Sequence, residues 1–142
     1  MAVIDVFNGD ADGICALQQL RLAEPLEGTL VTGVKRDIAL LGRVDAGAGD
    51  RVQVLDISLD KNREPLVALL DQGARVLYFD HHHPGEVPAH PALEAHIDTT
   101  PDRGTCWLVD RHLAGAHRAW AVVGTFGDNF DATAAALGES LG

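Results

Sequence analysis

Short apolar runs that stop at acids or imidazoles set the rhythm of this chain. Ala2-Val3-Ile4-Asp5-Val6-Phe7 leads into Asn8-Gly9-Asp10-Ala11-Asp12-Gly13. Thr29-Leu30-Val31-Thr32-Gly33-Val34 is rich in β-branched residues. Arg51-Val52-Gln53-Val54-Leu55 stops at Asp56, and Arg75-Val76-Leu77-Tyr78-Phe79 stops at Asp80-His81-His82. Runs this short and this apolar read as strands buried on both faces. Between them the spacing turns helical. Gly13 opens a helix through Ile14, Leu17, Leu20 and Leu22, and Asp37 can cap a short one carrying Ile38, Leu40 and Leu41. Pro65 suits a first helical position, although a start as early as Lys61 is open. Leu66, Val67, Leu69 and Leu70 make that helix's apolar face, and Gly73 ends it. Residues 94–98 form a short fifth strand, a helix covers about 103–113, and an apolar segment at 119–126 leads to Gly127-Asp128-Asn129. The alternation predicts a doubly wound α/β domain: a mostly parallel sheet of about five strands with helices on both faces. Residues 1–130 make the domain, and the Ala-rich 131–142 begins a C-terminal helix or linker.

A parallel α/β sheet gathers the carboxyl ends of its strands at one rim, where ligands bind. Three strands here deliver Asp10 and Asp12, Asp56, and Asp80-His81-His82 to that rim. Ionised carboxylates 4 Å apart repel by about 4 kcal/mol at an effective dielectric of about 20, a cost that cations among the oxygens remove. Carboxylates with one or two imidazoles suit Mn²⁺ or Mg²⁺ better than a thiolate-rich zinc site would. Two such ions can activate a water and stabilise both oxygens of a phosphoryl transfer, so hydrolysis of a phosphate ester or anhydride is the expected chemistry. Each residue also has a plainer reading. Asp10 and Asp12 before Gly13 could be a polar turn with an N-cap. Asp56 alone could be a strand-end acid, and His83 reads as a loop residue. His90, His96, His112 and His117 have no partner pattern and are assigned surface or packing roles.

Composition narrows the substrate. Acids outnumber bases 21 to 11, for a formal charge of −10, and Lys35 and Lys61 are the two lysines. Without a broad basic surface, long duplex nucleic acid is an unlikely partner, and small phosphorylated molecules are favoured. Local cations near Arg36, or at Arg103 and Arg111, could still form a small basic patch. Cys15 and Cys106 follow no metal or redox spacing and read as buried apolar residues on helices. No signal-peptide pattern and no apolar run of membrane-spanning length is visible, so a cytoplasmic location is expected.

Four motifs in order, Asn8-Gly9-Asp10-Ala11-Asp12-Gly13, Asp56, Asp80-His81-His82 and Gly124-Thr125-Phe126-Gly127-Asp128, resemble the N-terminal catalytic domain of the DHH phosphoesterase superfamily. That superfamily includes RecJ-type exonucleases, oligoribonucleases that degrade nanoRNA and cyclic-dinucleotide products, and family II pyrophosphatases. The resemblance runs from residue 3 to about 130, and the helix start at Thr105-Cys106 is also similar. It implies two Mn²⁺ ions, with Mg²⁺ or Co²⁺ as alternatives. Asp10 would ligate the first metal and Asp12 the second, Asp56 would bridge them, and His81 and Asp128 would complete the second metal's donor set. His82 would contact the scissile phosphate or leaving oxygen, and Asp80 would orient an imidazole through a hydrogen bond rather than bind metal.

Two departures from the family pattern stand out. Asn8 occupies a place where relatives put a further histidine or aspartate at the first metal, so it is a weak ligand there. The family's second domain, which supplies a glycine- and histidine-rich substrate motif, is not found after Asp128. The expected function is two-metal hydrolysis of short oligonucleotides or dinucleotides, with pyrophosphate less favoured. The alternative is a truncated or degenerate domain that binds metal and nucleotide without efficient turnover. A haloacid dehalogenase-type reading of Asp10-Ala11-Asp12-Gly13, with an aspartyl-phosphate at Asp10, is weaker: Lys35 and Lys61 look poorly placed for it, and it leaves His81 and His82 unused.

Overall fold

The computed structural model describes residues 2–34, 36 and 39–141. Strands β1 (Val3–Asn8), β2 (Thr29–Gly33), β3 (Arg51–Leu55), β4 (Arg75–Asp80) and β5 (Leu93–Ile97) form one all-parallel sheet in the order β2-β1-β3-β4-β5. Helices α1 (Ala11–Ala23), α2 (Arg63–Asp71), α3 (Thr105–His112), α4 (Arg118–Gly127) and α5 (Asp131–Glu139) connect and follow them. Every residue of β1 is buried, as expected of a central parallel strand, whereas β2 and β5 lie at the edges and have no fully buried residue.

Side-chain alternation splits the core into two layers. Ile4, Val6, Val52, Val54, Val76 and Tyr78 face α2 through Leu66, Leu69 and Leu70, together with Leu40 and Leu41 of a short 3-10 turn. Phe7, Leu55 and Phe79 face the other way, against Leu17 and Leu20 of α1, Cys106 and Val109 of α3 and Ala121 of α4. Helices thus cover both faces. The close approach of α1, α3 and α4 depends on Gly124, where a Cβ would run into Cys106 Sγ. Cys15 and Cys106 are both buried in this layer, free of any disulfide. Helix α5 packs on α4 and fully buries Ala134.

Several local expectations are corrected. Pro65 is the third residue of α2, not the first. The opening N–H groups of a helix lack intrahelical acceptors, so a proline costs little anywhere in that turn. Helix α1 begins at Ala11, two residues before Gly13, because Asp10 caps it by accepting a hydrogen bond from the Gly13 N–H at 2.9 Å. Val67, expected on the apolar face of α2, is exposed, as are Ile14 and Leu22 of α1. Each lies beyond the edge of the buried arc, which on α1 runs through Cys15, Ala16, Leu17, Gln19 and Leu20 and on α2 through Leu66, Leu69 and Leu70. Asp37 and Ile38, expected to start a short helix, lie outside the described residues.

After β1 the chain steps outward to β2 and then returns to the other side of β1 to form β3. That reversal opens a crevice beyond the carboxyl ends of β1 and β3, the point at which open α/β sheets bind ligands.

Candidate active site and metal centre

Four strand and helix ends meet in this crevice. The turn from β1 into α1 presents Asn8, Asp10 and Asp12. It is tight, since a Cβ at Gly13 would overlap the Asn8 carbonyl oxygen. The end of β3 presents Asp56, the end of β4 presents Asp80, His81 and His82, and the end of α4 presents Asp128. Asp56 sits at φ +66°, a left-handed backbone that is strained for a side chain bearing a Cβ but comparatively well tolerated by Asp and Asn. Strain of this kind persists where surrounding structure holds it, and here it turns a carboxylate into the crevice.

His81 is the hub. Its Nε2 lies 3.1 Å from Asp56 Oδ1, 3.4 Å from Asp128 Oδ2 and 3.7 Å from Asp12 Oδ2. Donor atoms of Asp12, His81 and Asp128 lie within 4.8 Å of one another, and so do those of Asp56, Asp80, His81 and His82. Asp10 is near enough to Asp56 for their carboxyl groups to hydrogen-bond. A cleft of about 430 Å³ joins Asn8, Asp10, Asp56, His81, His82 and Asp128.

The charges in this cluster are mismatched. Burial first, and then the Asp12 and Asp10 carboxylates, push Asp56 up to about 11. Burial and Asp12 raise Asp128 to about 6. Acids held this way are short of positive charge, and a donor set of carboxylate oxygens with an imidazole fits hard divalent cations such as Mn²⁺ or Mg²⁺. A group whose folded value is raised favours the folded state only while protonated, so its contribution is full below 3.8 and is lost as pH rises through the folded value. The melting temperature of the EDTA-treated protein should therefore fall between about pH 4 and pH 6.5, and Mn²⁺ should restore it at the upper end. Calorimetry across that range checks this; a flat metal-free profile would contradict the electrostatic account.

The acids differ in role. Asp12 is fully buried and accepts backbone N–H bonds at the N-terminus of α3, from Thr105 to Oδ2 and from Cys106 to Oδ1, each at 2.8 Å. Gly104 is required beside it, since a Cβ there would lie 2.8 Å from Asp12 Oδ2. Thr105 Oγ1 also donates to Asp56 Oδ1 at 3.0 Å, so one helix start holds two acids. Asp80 is buried and bonds His82 Nδ1 at 2.7 Å, which turns the half-exposed His82 ring toward the cleft. Asn8 Oδ1 accepts from the Asp10 N–H at 3.3 Å. His83 belongs to the loop, where its Nδ1 accepts from the Gly85 N–H.

Other features escaped sequence reasoning. Ser58, Lys61, Asn129 and Phe130 line the cleft. Lys61 lies on the rim of the same cleft as Asp10 and Asp56. The short spacing from Asp56 to Lys61 was the available signal. His96 and His112, assigned to surface or packing roles, are brought together with Glu94.

No known family profile and no curated protein matches the sequence. Solved structures do match. The fold superposes on a crystal structure of exonuclease RecJ bound to manganese with a TM-score of 0.56, at 20% identity, over 96% of this chain and 42% of that one. It also superposes on RecJ in complex with Mn²⁺ from Thermus thermophilus, with a TM-score of 0.54 at 23% identity, over 89% of this chain and 21% of the other. The chain spans less than half the length of either. Sheet order, crevice and superposition agree, and the chain has the fold of the matched part of RecJ.

Proposed function

We propose that this chain is the catalytic domain of a Mn²⁺-dependent phosphoesterase acting on short oligonucleotides or dinucleotides. One observation carries the reading: Asp12, Asp56 and Asp128 converge on His81, with Asp10 against Asp56, in the crevice where the sheet reverses direction. Asp10, Asp12, Asp56, His81 and Asp128 would hold two cations, with Asn8 a weaker oxygen donor. When bound, the cations supply Lewis-acid charge that acidifies a water and neutralises phosphoryl oxygens.

The chain's own groups do the rest. Hydrogen bonding to Asp80 raises the His82 imidazole above its usual value. With Nδ1 held by Asp80, the His82 Nε2–H can donate to the phosphoryl or leaving oxygen. Lys61, on the rim of the same cleft, brings a positive charge to a second phosphate oxygen. Two phosphate contacts in an otherwise acidic protein suit a short substrate better than a long duplex.

The test is hydrolysis with Mn²⁺ over a panel of a dinucleotide, a short single strand and pyrophosphate. His82→Ala should bind as much Mn²⁺ as the wild type yet turn over roughly 10²-fold more slowly. Wild-type protein that binds Mn²⁺ but turns over nothing on the panel would overturn the phosphoesterase reading in favour of a phosphate-binding module.

A further inference from the structure

At the opposite end of α3 from Asp12, three side chains with no part in the cleft converge. Glu94 and His96 alternate with Ala95 along edge strand β5 and so point to the same side. His112 reaches them from the last turn of α3. One donor atom from each lies within 4.8 Å of the others, and His96 Nε2 is 2.8 Å from Glu94 Oε2.

The rings are held in place. Fully buried Phe79, paired with His96 in the sheet register, stacks on it at 4.8 Å with an interplanar angle of 11°. His112 meets the edge of Phe79 at 5.1 Å and lies 4.8 Å from His96 at 63°. Two imidazoles set around one aromatic ring lose little further freedom when they bind a common ion, which is the cost that defeats most surface clusters. Partial burial and the neighbouring His96 also push His112 below its usual value, the direction that favours the lone-pair form.

We propose that Glu94, His96 and His112 form a separate metal site of the zinc class that clamps edge strand β5 to the C-terminal turn of α3. Two imidazoles and one carboxylate make a three-ligand set with an open fourth position, typical of Zn²⁺. Affinity for such nitrogen donors rises along the first row, so Zn²⁺, Ni²⁺ or Cu²⁺ outcompete Mn²⁺ here, while the carboxylate-rich cleft takes harder ions. The two sites thus sort cations by donor chemistry. This assignment does not depend on the phosphoesterase reading.

The experiment is Zn²⁺ binding by the full chain in a background where the cleft is disabled by Asp56→Asn with His81→Asn, measured by calorimetric titration and by metal content after gel filtration. That protein should retain one equivalent of Zn²⁺ and melt at a higher temperature with it. Adding His112→Asn, or separately the exposed-site change Glu94→Gln, should abolish both the equivalent and the shift. No Zn²⁺ in the cleft-disabled parent, or uptake that survives both added changes, would overturn the proposal.

Discussion

Asp56→Asn should make the metal-free protein more stable while abolishing the proposed Mn²⁺-dependent hydrolysis. The carboxyl is buried and faces the Asp12 and Asp10 carboxylates, and its value is raised to about 11. Keeping it protonated at pH 7, against an unfolded-state value of 3.8, costs the folded state about 4 kcal/mol. Asparagine has nearly the same shape, tolerates the left-handed backbone at this position, and keeps an oxygen for the Thr105 hydroxyl. It carries no proton linkage in this range. The metal-free variant should gain roughly 2–4 kcal/mol at pH 7.5, and the gain should shrink toward pH 4, where the wild-type cost disappears. Urea denaturation in EDTA at both pH values reads this directly. The proposed hydrolysis should drop by about 10³-fold or more, since a carboxylate proposed to hold the cations is lost. A metal-free Asp56→Asn protein less stable than wild type at pH 7.5 would mean that this carboxylate serves the fold rather than a cation.

Asp12→Ala should do the opposite to stability. Asp12 also belongs to the acidic cluster, but its two oxygens are occupied by the Thr105 and Cys106 N–H groups at 2.8 Å. It is thus an anion seated on the N-terminus of α3, where the exposed N–H groups favour negative charge. Alanine would leave two buried donors unsatisfied, at about 1–3 kcal/mol each, and would remove some repulsion from Asp56 and Asp128. The net loss should be about 2–4 kcal/mol, a large share of a small domain's stability. Denaturation in EDTA again gives the measurement. If metal-free Asp12→Ala proved as stable as wild type, repulsion would outweigh the two hydrogen bonds and the anchoring role would be wrong. The pair of variants separates two acids that look equivalent in the sequence: Asp56 is crowded by other carboxylates, whereas Asp12 is also held by two backbone N–H groups.

Much of the fold was legible because a parallel sheet writes itself plainly. Strands buried on both faces must be short, continuous and apolar, and β1, β3 and β4 are each found within a residue of their expected ends. The edge strands gave weaker signals, since β2 and β5 bury no residue fully and carry polar residues. Val67 was placed on the apolar face of α2 but is exposed, because an apolar residue on a helix reports which face is buried only once the neighbouring layer is known. The candidate site was legible where its residues lie at strand ends, as with Asp10, Asp56 and His81. Lys61 was not, and the Thr105-Cys106 helix start was flagged only through the resemblance, because each enters through a loop or helix start whose direction no local pattern specifies.

From the sequence alone came the strand and helix order, the acid- and imidazole-bearing strand ends, and the resemblance they carry. All of these rest on local periodicity and on the rule that parallel strands end at a common rim. Tertiary structure decided which acid meets which partner. Only packing could show that α3 starts against Asp12, that His81 stands among three carboxylates, and that Glu94, His96 and His112 share one corner. Those juxtapositions join residues separated by long stretches of chain, and distances of that kind are set by how layers stack rather than by any repeat along the sequence.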